Sequence, residues 1–120
     1  MGLDCTVRFA GGAVPAWAEV RAQLVRVGEA GLLRMIDGLP AFPDEEPEGG
    51  WRELRVGVAA GMVTVRHSGD ALTCIVWSTA DAALLSARDR VAWACAAAGG
   101  GTVEGETADD FARLSGISPA

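Results

Sequence analysis

Between Trp51 and Trp77 the chain alternates apolar and polar residues in three consecutive runs, the period of two that half-buried strands require. Two-residue turns at Ala60-Gly61 and Ser68-Gly69 would fold these runs into a meander. The expected register sets Val58 opposite Val63, Val56 opposite Val65 and Leu54 opposite His67, and then Val63 opposite Cys74, Val65 opposite Leu72 and His67 opposite Asp70. Leu54, Val56, Val58, Val63, Val65, Leu72, Cys74 and Val76 then share one face, which is the expected core. The other face receives Met62 opposite Ile75, Trp77 further along the same strand, and Arg55 opposite Arg66.

The flanking segments supply the rest of the fold. Leu3, Cys5, Val7 and Phe9 alternate with polar residues as a first strand, and Ala10-Gly11-Gly12 ends it. Pro15 suits the first turn of a helix, along which Trp17, Val20, Leu24 and Val27 recur at helical spacing. Residues 32–36 are too short a run for periodicity to separate a strand from a turn. Residues 37–50 hold three prolines, three glycines and an acidic run, which predicts a mobile loop inside one domain of residues 1–120. Ser78-Thr79 offers an N-cap for a helix over 82–98, with Asp81 favouring its dipole, and Gly99-Gly100-Gly101 closes it. A strand over 102–106 and a short C-terminal helix from Thr107 complete the chain.

The fold class is therefore α+β. A two-layer sandwich is expected, with a mostly antiparallel sheet of about five strands, two helices on one face and the short C-terminal helix. The order β-α-(β)-β-β-β-α-β-α loosely resembles a ferredoxin-like βαββαβ core with an added hairpin.

Composition narrows the partners. At 50% hydrophobic and 22% charged residues the chain is balanced for a folded domain, not for disorder. The net charge of −6 argues against a nucleic-acid backbone as partner, although every basic side chain is Arg. No run is apolar enough for a membrane span, and the N-terminal residues, with Asp4 and Arg8, do not form a secretory signal, so a cytoplasmic location is expected. Cys5, Cys74 and Cys95 are odd in number and set among apolar residues, as reduced core thiols would be.

No constellation specifies a reaction. His67, the only histidine, faces Asp70 in the expected register, an arrangement that orients a general base or simply flanks a turn with an ion pair. Cys74 would lie four residues along the strand, about 13 Å away and out of reach of a dyad. Arg88 falls on the helical wheel among Leu84, Val91 and Cys95, so it either reaches the rim of the layer or meets a buried carboxylate at a pocket. A ligand pocket near His67, Asp70 and Arg88 would make the protein a small-molecule sensor or enzyme. One His and scattered Cys give no metal-ligand spacing, and no cofactor motif is present.

Two surfaces point to protein partners instead. An outward sheet face that carries Met62, Ile75 and Trp77 needs a cover, either a second copy of the chain or the chain's own 32–42 segment. The loop carboxylates Asp44, Glu45, Glu46 and Glu48, which supply four of the net negative charges, suit a basic protein partner. The expected function is a small non-enzymatic binding or regulatory domain, homodimeric through that face.

Overall fold

The computed structural model describes residues 2–12, 14–77 and 79–104. The expected C-terminal helix lies outside the described residues. The chain forms β1 (Gly2–Arg8), a 3-10 turn (Ala10–Gly12), α1 (Trp17–Arg26), β2 (Leu32–Ile36), β3 (Leu39–Pro40), β4 (Glu53–Val58), β5 (Gly61–Ser68), β6 (Ala71–Trp77), α2 (Ala82–Gly99) and β7 (Thr102–Val103). All strands join one seven-stranded antiparallel sheet in the order β3-β2-β4-β5-β6-β1-β7.

The α+β class holds, but the sheet is larger than five strands and its layout is not ferredoxin-like. In a split βαβ unit a single strand separates the two strands that the helix joins. Here α1 carries the chain from β1 to β2 past the positions of β4, β5 and β6. The two hairpins of the meander then bring it back beside β1.

The pleat follows the hydrophobic alternation. Leu54, Val56, Val63, Val65, Leu72, Cys74 and Val76 are all buried and join one core with Trp17, Val20 and Leu24 of α1 and Val91, Ala92 and Cys95 of α2. Helix α2 packs across β6, β1 and β5, and α1 packs beside α2. The register, however, differs from expectation by two residues in both hairpins. Val58 pairs with Gly61, Val56 with Val63 and Leu54 with Val65. Val65 pairs with Cys74, His67 with Leu72 and Ser68 with Ala71.

The cause is the position of each turn. Gly69 has φ 58°, so it takes the first central position of a Gly69-Asp70 turn, the place where a II′ hairpin needs glycine. The other turn is Ala59-Ala60, a pair with no turn signal of its own, and Gly61 becomes the first residue of β5. A two-residue shift preserves the facing of every side chain while changing its partner. His67 consequently does not face Asp70, and Met62 faces Gly57, not Ile75. Arg55 and Arg66 do not oppose each other either; both lie beside Glu53, at 3.5 and 3.2 Å.

Helix α2 is capped by Asp81, whose carboxylate accepts the Leu84 N–H at 2.9 Å, and not by Thr79, while Ser78 lies outside the described residues. Its far end stops at Gly100, which adopts the left-handed conformation with φ 68°. The neighbouring glycines serve a different purpose. A Cβ at Gly99 or at Gly101 would stand 2.7 Å from Phe9 Cε1, so the Phe9 ring needs both positions bare.

Candidate functional site

Residues 41–52 connect the β2-β3 hairpin to β4, and the stretch from Asp37 onward is fastened at several points, which corrects the expectation of a loose excursion. Asp37, at φ 50°, starts the Asp37-Gly38 hairpin turn. Its Oδ1 accepts the N–H groups of Arg52 at 2.7 Å and Glu53 at 2.9 Å, clamping the end of the loop to its beginning. Those two backbone donors, Glu53 foremost, hold the Asp37 carboxyl below its ordinary range. Leu33 N–H donates to Pro43 O and Ala41 N–H to Arg34 O, so the loop also borders the β2 edge.

Glu46 ties the loop to a helix. The N-cap of α1 is Ala16, whose side chain cannot accept a hydrogen bond. Glu46 Oε1 instead accepts the Ala18 N–H at 3.2 Å from across the molecule, and its charge complements the positive end of the helix dipole. Glu45 Oε1 accepts the Phe42 N–H at 3.3 Å while Glu45 N–H donates to Phe42 O, closing a turn inside the loop.

These ties shape an open cleft of about 350 Å³ lined by Ile36, Asp37, Glu45, Glu46, Glu48, Gly49, Gly50 and Trp51. Four of the lining residues are acidic and none is basic. The Glu48 carboxylate makes no hydrogen bond or ion pair among the described residues. Trp51 borders the cleft but belongs to the core at 8% exposed, and its ring lies 5.5 Å from that of His67. His67 Nδ1 is 3.2 Å from Trp51 O and Nε2 is 3.1 Å from Gly69 O, so this imidazole braces Trp51 and the β5-β6 turn.

The residues singled out for a ligand pocket have three separate sets of partners. His67 is engaged as just described, Asp70 pairs with Arg8 at 3.3 Å, and Arg88 places Nε and Nη2 at 3.1 and 2.8 Å from the buried Asp89 on α2. Arg88 has thus found a carboxylate, but it is that of its immediate neighbour.

The three cysteines converge, with no disulfide between them. Cys5 lies directly opposite Cys74 in the sheet, and the Cys74 thiol meets that of Cys95 on α2. This contact, together with burial, raises the Cys74 thiol well above its usual range, so it stays protonated. Among the described residues no group of three His, Cys, Asp or Glu side chains is arranged to hold a metal ion.

On the outward face, Met62 and Trp77 are exposed, at 42% and 56%, whereas Ile75 is only 4% exposed. The 32–42 segment does not cover this face, because it contributes β2 and β3 to the sheet itself. Sequence reasoning missed Asp37 as a clamp, Trp51 as a core residue at the cleft's edge and Leu32 as part of the outward face. The Asp-Gly pair between two apolar runs was the available signal for the first of these.

Among the described residues no helix is long and apolar enough to cross a membrane. Comparison with known proteins finds no matching family, no matching curated protein and no matching solved structure.

Proposed function

We propose that this protein is a non-enzymatic binding domain that acts through protein–protein contacts and receives a basic segment of its partner in the acidic cleft. The observation that carries this reading is the cleft itself: four carboxylate residues and Trp51 around one concavity with no basic side chain in its lining. Concave sites lined by one sign of charge focus the field and draw in opposite charge. The carboxylates of Asp37, Glu45 and Glu46 are held in place by backbone N–H groups, so little ordering remains to be done on binding. An arginine or lysine side chain suits such a site in size and charge.

Fluorescence or calorimetric titration with a hexa-arginine peptide at low ionic strength tests the reading, with hexaglutamate as the control. Saturable binding that weakens with salt and is lost in the Glu45→Gln/Glu48→Gln double variant is the expected result. No binding, or binding that the double variant leaves intact, defeats it.

A further inference from the structure

The register of the sheet draws one line of residues across its outward face. Leu32 of β2 pairs with Gly57 of β4, Gly57 with Met62 of β5, and Trp77 of β6 with Gly2 of β1. The β5-β6 pairing of Thr64 with Ile75, carried two residues along each strand, brings Met62 level with Trp77. Leu32, Met62 and Trp77, at 38%, 42% and 56% exposure, therefore form one row. The gap at Gly57 is bridged by Arg34, whose Cγ and Nε lie 3.6 and 2.9 Å from where a Cβ would stand. An arginine stem presents apolar surface in that position. Thr64 and Ile75, 5% and 4% exposed, close the floor beside the row.

We infer that this face is the interface of a homodimer in which a second copy covers the Leu32–Met62–Trp77 row. Charge favours a second copy over a partner of one sign. Beyond the row the face carries Glu53 between Arg55 and Arg66, with Asp4 across the sheet, so acids and bases alternate on the same surface. A patch holding both signs is complementary to itself under two-fold rotation, as an isologous contact requires. The wholly acidic cleft lacks that property.

Area sets the strength. The five strands from β2 to β1 span about 24 Å by about 20 Å at ordinary strand spacing and rise, or roughly 500 Å² in projection. That is less than the roughly 800 Å² per partner of a standard interface, and Thr64 and Ile75 are already closed off within it, so a weak, micromolar dimer is expected. The row runs along one end of that area, where its three large exposed side chains are placed to act as anchors.

Light scattering across a concentration series of the full chain tests the inference. The wild type should reach the mass of a dimer at high micromolar concentration. Trp77→Asp and, separately, Leu32→Glu should weaken association by at least about 30-fold, as loss of a buried anchor does. Val25→Asp, on the exposed side of α1, should leave it unchanged. Far-UV circular dichroism verifies that each variant is folded, and Met62→Gln substitutes for any that is not. A monomeric wild type would assign the face to residues 105–120 or to a different protein and overturn the inference. A dimer that survives the row variants would overturn it equally.

Discussion

Arg90 of α2 grips Glu29, just beyond α1, with Nε at 2.9 Å and Nη2 at 2.5 Å from the same carboxylate oxygen, Oε1. Glu29 is 6% exposed, and its second oxygen has no hydrogen-bond partner among the described residues. The pair joins the end of one helix to the middle of the other in a place where neither charge is well hydrated. Removing one partner should therefore cost more than removing both. Arg90→Met is expected to lower unfolding free energy by about 3–5 kcal/mol, and Glu29→Leu/Arg90→Met to recover most of that loss. Urea denaturation of the two variants and the wild type measures the difference.

Asp37 gives the protein an acid-sensitive clamp. Its folded pKa lies below the ordinary value of 3.8 because two N–H groups bind the ionised form. The stability it adds is complete above the unfolded pKa and is lost as pH falls through the lower folded one. Asp37→Asn, which tolerates the left-handed backbone here, should remove that dependence. The drop in urea midpoint between about pH 6 and about pH 2 should be smaller in the variant than in the wild type.

The thiol cluster predicts the opposite limb. The Cys74 pKa is raised, so the folded protein keeps a proton that the unfolded chain loses at alkaline pH. Stability should decline as pH rises above the unfolded value of about 9. Cys74→Ala should make that decline shallower while lowering stability at neutral pH through loss of packing. In the native wild type, reaction of Cys74 with a disulfide reagent should be slow and should accelerate on addition of urea.

Phe9 fixes the length of side chain allowed at the end of α2. Gly99→Ala or Gly101→Ala would drive a methyl group into its ring and should cost about 1–3 kcal/mol, the usual range for overpacking. Adding Phe9→Leu should offset part of the loss. Thermal melts of the single and double variants measure the coupling.

The facing of the meander was legible in the sequence because alternation fixes which side each residue points to. The partner of each residue was not, because that depends on which dipeptide forms the turn. Gly69 can serve in the first or the second central position, and Ala59-Ala60 carries no signal that favours it over Ala60-Gly61. The acidic segment read as a loose connector because prolines and glycines exclude regular structure. What they do not exclude is long-range side-chain capping, and Glu46 reaches an α1 terminus 28 residues earlier in the chain. The helical wheel leaves Arg88 either at the rim of the layer or on a buried carboxylate, and it does not show an arginine folding back onto Asp89 beside it.

Glu46 serves two masters: it lines the cleft and it holds the first turn of α1. Only its Oε1 accepts the Ala18 N–H, so a cation drawn to the other oxygen fixes the carboxylate in place, and filling the cleft and firming the helix start are thermodynamically linked. Amide hydrogen exchange at Ala18 would then report occupancy of a site whose visitor never touches that residue.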